Sequence, residues 1–221
     1  MSDIIKSFAK SIADKNLANK VKETSVEGVV SLVPTNRFWG INATDMLVKS
    51  IRSINSMSKS FLEKKVLYFL FGVKDVDIEK RHEFINKYVR GNEESISELT
   101  FITLDKIDRL SKAKILSNLF IALSNELIND EIYLRLMHSL AFIYYDDLIY
   151  LKELYGRKDV IENYRLLSLS SYGLLESKSP NRWGSERNTY YNLSELGIEL
   201  IRCGIDPDNY SSYMQTDGED K

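Results

Sequence analysis

A chain of 221 residues can bury one sizeable core or two small ones, and 43% hydrophobic against 28% charged residues is an ordinary globular balance. The 30 basic and 32 acidic side chains leave a net charge of −2, which speaks against a surface dedicated to nucleic acid but permits a local basic patch. One cysteine, Cys203, excludes an intrachain disulfide and a multi-thiolate metal site, and only 3 prolines and 10 glycines favour helices over many-stranded sheet.

Residues 2–24 read as an amphipathic helix, with Ile4, Ile5, Phe8, Ile12, Leu17 and Val21 near one stripe. Docking on the body is the expected role of that stripe. Membrane-surface contact is the competing one, opposed by Asp3, Asp14 and Glu23 among the lysines. Lys6 and Lys10 interrupt the opening residues before an apolar leader forms, and the strongest apolar run, residues 66–73, is far below the ~20 residues that span a bilayer. The expected compartment is therefore the cytoplasm, where the sequons at Asn42 and Asn192 carry no meaning. Residues 26–33, closed by Pro34, fit either a helix or a strand.

Asn42 or Thr44 caps a long helix that carries Leu47, Ile51, Ile54, Phe61 and Leu62 and is expected to end at Gly72. Asp77 starts a shorter helix through Tyr88, stopped by Gly91. Two helices over residues 95–107 and 111–127 flank a break near Asp108, with Ser111 as a cap. A last long helix fills residues 130–155 and ends at Gly156.

Past Gly156 the pattern changes. A helix over residues 159–172, a stop at Gly173, and short strands at 174–178 and 189–193 precede a helix capped by Ser194 and stopped by Gly204. The Gly173-Leu174-Leu175-Glu176 helix end, the turn-rich loop and Tyr190-Tyr191-Asn192-Leu193-Ser194-Glu195-Leu196-Gly197 resemble the winged-helix module of many bacterial regulators. The resemblance covers roughly residues 158–204. It implies that the first of these helices is a recognition helix and the hairpin a wing, in a module type that also occurs in domains binding only proteins. Upstream, Leu104-Asp105-Lys106-Ile107-Asp108, Lys112-Ala113-Lys114-Ile115-Leu116 and Asp146-Asp147-Leu148-Ile149-Tyr150-Leu151, joined to that C-terminus, are similar to the Abi-alpha group of bacterial and prophage proteins. That likeness implies a phage–host conflict setting and supplies no catalytic residues.

DNA binding needs cations on the helix and wing. Lys158, Arg165, Lys178, Arg182 and Arg187 are opposed there by Asp159, Glu162, Glu176 and Glu186, a thin positive footprint. Arg165, Lys178, Arg182, Trp183 and Arg187 are accordingly the candidate contacts to DNA or to a protein partner. Trp183 is either a partner anchor or folded back on the hairpin.

No catalytic constellation stands out. His82, between Glu79 and Glu83, fits a solvated helix face, and His138 a hydrogen-bonded position at the core edge. Asp146 and Asp147 point about 100° apart on a helix, while Asp105 and Asp108 share a face with cations beside them. No phosphate-cradling glycine loop, nucleophile elbow or metal-protease pair is present. Cys203, in the stretch Leu200-Ile201-Arg202-Cys203, reads as a small buried hydrophobe rather than a reactive thiol.

The expectation is an all-α, multi-helix bundle with a C-terminal winged-helix-like module containing one β-hairpin. Its parts are residues 1–40 (amphipathic helix and linker), 41–156 (helical body), 157–205 (the module) and 206–221 (a disordered acidic tail). The leading function is a non-enzymatic, cofactor-free binding protein of bacterial or phage origin acting through protein contacts, and the alternative is a winged-helix DNA-binding regulator. Partner identity and oligomeric state are left open.

Overall fold

The computed structural model describes residues 2–17, 48, 51, 59–87, 95–158, 160–161, 163–178 and 189–209. Among them the chain is mostly helical, with a small three-stranded antiparallel sheet near the C-terminus. The helices are α1 (Ser2–Ile12), α2 (Lys59–Val73), α3 (Ile78–Asn86), α4 (Ile96–Lys106), α5 (Leu110–Ser124), α6 (Asp130–Phe142) and α7 (Tyr145–Glu153). After them come β1 (Val160–Ile161), α8 (Tyr164–Ser171), β2 (Leu175–Lys178), β3 (Tyr190–Leu193) and α9 (Glu195–Glu199). A π-helical turn, Leu200–Ile205, prolongs α9, and a 3-10 turn, Pro207–Asn209, follows. No described helix is long and apolar enough to cross a membrane.

Local chemistry sets most of the helix starts. Asp77 accepts from the Glu79 N–H, Ser95 from Glu98 and Asn129 from Ile132, and Asn163 and Ser194 do the same for α8 and α9, so five described N-termini carry a side-chain cap. Ser111 does not act as the cap of α5: Arg109 takes that place and offers no side-chain bond. The α1 helix stops at Ile12, with residues 18–24 of the expected helix lying outside the described ones, and its end is taken up by Arg81. That guanidinium donates through Nη1 to the Ile12 and Asp14 carbonyls at 2.8 and 3.1 Å and through Nε to Val76 O at 3.0 Å. The expected caps Asn42 and Thr44, residues 26–33, Tyr88 and Gly91 lie outside the described residues.

Gly72 does not end its helix, which runs on to Val73. A Cβ there would sit 2.2 Å from the Ser117 hydroxyl, so this glycine marks the close approach of α2 and α5. The long helix expected over residues 130–155 is two, broken at Ile143 and Tyr144, both extended with ψ of 140° and 136°. The Ile143 carbonyl is turned to the ammonium of Lys112, which is 1% exposed and also pairs with Asp108 at 2.7 Å. Lys65, 3% exposed, does the same at the end of α4, donating to Asp105 O at 2.8 Å and Ile107 O at 2.9 Å. Three helix C-termini are thus capped by buried cations from other helices, where orphan carbonyls and the negative dipole end favour positive charge. Burial pushes the Lys65 ammonium below the usual lysine range, partly opposed by Asp105 and Asp108.

One apolar core runs through the described chain, from Phe8 and Ile12 to Ile201 and Cys203. Aromatic rings carry its centre: Phe8 meets Phe69 and Phe101 at 5.8 and 5.3 Å, and Phe84 meets Phe120 at 4.3 Å and Tyr133 at 6.0 Å. The wholly buried Tyr133 hydroxyl shares a 3.0 Å hydrogen bond with Thr100 Oγ1, which removes the cost of an unpaired buried phenol. With Phe8, Ile12 and Leu17 fully buried and Lys6, Lys10 and Lys15 exposed, the stripe on α1 faces the body.

Candidate interaction surface

The C-terminal sheet has the order β1-β3-β2. Val160 opposes Tyr191 and Ile161 opposes Tyr190, while β2 pairs with β3 from Leu175↔Leu193 to Lys178↔Tyr190. Strand β1 was not expected; it occupies residues read as the start of a helix over 159–172. Asn163 is the physical reason, since its side chain accepts from the Arg165 and Leu166 N–H groups at 3.0 and 3.1 Å and so begins α8 at Tyr164. Gly173, at φ 75°, then reverses the chain into β2. Ser194 ties the two ends together, donating to Gly173 O at 2.6 Å and accepting from Gly197 N at 3.0 Å.

The later start shortens the helix at its N-terminal end. Arg165 is in the first turn, not the middle, and turns toward α7. Its Nε lies 3.2 Å from the Tyr164 hydroxyl and 3.9 Å from Asp147 Oδ1, and its guanidinium stands 5.3 Å from the Tyr150 ring centre. The outer face is instead Tyr164, 74% exposed, and Leu167, 48% exposed, with Ile161 of β1 at 57%. Ser171 is exposed, while Ser168 and Ser170 are half-buried. Phe142, Tyr144 and Ile149 add exposed apolar surface on the end of α6 and on α7. Tyr164 and Leu167 stand three positions apart and so share a side of α8, and Asn163, a favoured cap residue, is the signal that would have placed the helix start.

Of the candidate contacts, Lys178 is exposed at the end of β2, and Arg182, Trp183 and Arg187 lie outside the described residues. His138 is exposed rather than at the core edge, with its ring 5.2 Å from Phe142 and 6.5 Å from Tyr172. His82 is exposed as expected. Among the described residues no three of His, Cys, Asp or Glu are grouped to hold a metal ion.

The π turn that prolongs α9 lies on α5 and α7. Asn118 Nδ2 donates to Gly204 O at 2.8 Å, Arg202 Nη2 to the Tyr155 hydroxyl at 3.1 Å, and Lys152 pairs with Asp206 at 2.8 Å. The region expected to be a tail from Asp206 therefore holds packed residues as far as the 3-10 turn. Cys203 is 2% exposed, and its thiol, 3.4 Å from Glu199 Oε2, is pushed up to about 12 by burial first and then by the Glu199 charge and hydrogen bond. A thiol reagent at pH 8 should modify it slowly in native protein and quickly in denaturant. Rapid labelling of folded protein would show that the π turn is not packed in this way.

No protein-family model, curated protein or solved structure matches the chain.

Proposed function

We propose that this is a non-enzymatic binding protein of bacterial or phage origin that acts through protein contacts at a winged-helix-like C-terminal end. The observation that carries the reading is the outer face of α8. It offers Tyr164 and Leu167, beside Ile161, where a helix reading a DNA groove needs cations and base-edge donors. Arg165, the one cation on that helix, is drawn onto Asp147 and Tyr150. Exposed aromatic and aliphatic side chains grouped in this way are the composition of a protein-contact patch. The phage–host setting rests on the likeness to the Abi-alpha group alone.

The second reading, a DNA-binding regulator, is favoured by one arrangement: a helix leading straight into two paired strands of which the first carries Lys178, with Arg182 and Arg187 between them in sequence. Fluorescence anisotropy with duplex DNA separates the two. The expected result is no saturable binding at physiological salt, together with capture of a protein from phage-infected bacterial lysate that is lost on Tyr164→Ala or Trp183→Ala. Tight binding to DNA that weakens steeply between about 50 and 200 mM salt, and is lost in Arg182→Ala and Arg187→Ala, would overturn the protein-contact reading.

A further inference from the structure

Strand β2 lies at an edge of the described sheet. Among the described residues it pairs with β3 on one side only, and Glu176, Ser177 and Lys178 are all exposed. The ladder tells which backbone groups face outward. Ser194 N–H donates to Leu174 O at 3.1 Å, one step before the Leu175↔Leu193 pair. Antiparallel ladders alternate, so Glu176 and Lys178 bond toward β3, and Leu175 and Ser177 turn their N–H and C=O groups away from it. The Leu175 carbonyl agrees with this, since it lies 3.5 Å from the hydroxyl of Ser170 on α8. Among the described residues, nothing pairs with the outward donor and acceptor of Ser177.

We infer that this edge pairs with β2 of a second copy, antiparallel about Ser177. The inference rests on reading this end of the molecule as protein-contacting, and names a second copy of the chain as one of its partners. In a pair centred on Ser177 the two Ser177 residues exchange both backbone hydrogen bonds. Glu176 and Lys178 share a face because strand side chains alternate. The two-fold axis then sets Glu176 of each copy opposite Lys178 of the other, twice per dimer. The edge is complementary to itself in charge, the condition an isologous interface must satisfy. Two like charges at these positions would instead oppose each other across the axis. A ladder this short supports only a weak, transient association.

Sedimentation equilibrium of the full chain across about 5–300 µM tests it over the range a weak interface needs. Wild-type protein should move from monomer to dimer. Ser177→Pro removes an N–H that β3 does not use, so helical content and melting temperature should hold while association weakens at least about tenfold. Glu176→Lys and Lys178→Glu should each be monomeric alone. The two variants mixed should associate, because the first then carries lysine at both positions and meets glutamate at both positions of the second. The double reversal, which restores one charge of each sign per edge, should dimerise again. A wild-type chain that stays monomeric, or a dimer indifferent to Ser177→Pro and to the charge reversals, would overturn the edge pairing. If partner capture still fell with Tyr164→Ala in that case, the protein-contact reading would stand without it.

Discussion

Replacing Lys112 with alanine should lower the free energy of unfolding by about 2–4 kcal/mol, measured by urea denaturation. The side chain is almost wholly buried, so its loss leaves a cavity, an unpaired Ile143 carbonyl at the α6–α7 break, and Asp108 without its partner. Lys112→Met should recover the packing part and leave the carbonyl unpaired. Asp108→Asn should cost less than about 1 kcal/mol, because that carboxylate is half exposed to water. The pair also has a pH signature. Partial burial opposes ionisation of Asp108, but the Lys112 hydrogen bond and charge, helped by Asp108's own N–H and Arg109, outweigh it and hold the carboxyl below its ordinary 3.8. A depressed folded value means stability that is fully present above pH 3.8 and disappears as pH falls through the folded value. The gap between wild type and Asp108→Asn should close in that acid range. A Lys112→Ala loss under about 0.5 kcal/mol would mean that the ammonium behaves as a surface charge.

Gly197→Ala is the second large effect expected, about 2–3 kcal/mol by thermal unfolding. A Cβ at this position would stand 2.2 Å from Leu174 O and 3.1 Å from Leu174 C, and backbone cannot swing aside as a side-chain tip can. The same carbonyl accepts the Ser194 N–H, so the clash strikes the bond that aligns β2 with β3. Helix α9 must lift from the sheet to make room, and Cys203, on the turn that follows, should then react faster with thiol reagents. An alanine variant as stable as wild type, with its thiol equally slow, would show that α9 and the Leu174 turn are not in contact.

The helical class and much of the element order are legible in the sequence, because their signals are local. Asp77, Ser95 and Ser194 carry the capping chemistry that begins their helices, and Gly173 carries the reversal that ends α8. What escapes is set at a distance. Nothing around Ile143 resembles a helix breaker; the break depends on Lys112, 31 residues earlier, bringing a buried charge to that carbonyl. Lys65 and Arg81 act across 40 residues or more in the same way, and a lysine seen in sequence has surface as its ordinary place. Gly72 has the look of a terminator, and its cause is the Ser117 side chain of another helix. The candidate contacts follow charge, which is legible in sequence, and not packing, which is not. Charge singles out Arg165, whereas the packing of α8 against its neighbours leaves Tyr164 and Leu167 on the outside.

The unbroken core has a consequence for how this protein can change. Leu166, Leu169, Leu200 and Ile201 belong to the same apolar cluster as Phe8 and Phe69, and Gly204 leans on Ile115 and Leu119 of α5. The C-terminal end is therefore not a cassette. Grafted onto another scaffold it would carry away half of an interface and leave the other half open, so recombination at Gly156 would yield two insoluble pieces rather than a new pairing of parts. Diversity in what this end recognises has to come from its outer residues, one substitution at a time, while the inward ones stay matched to α5.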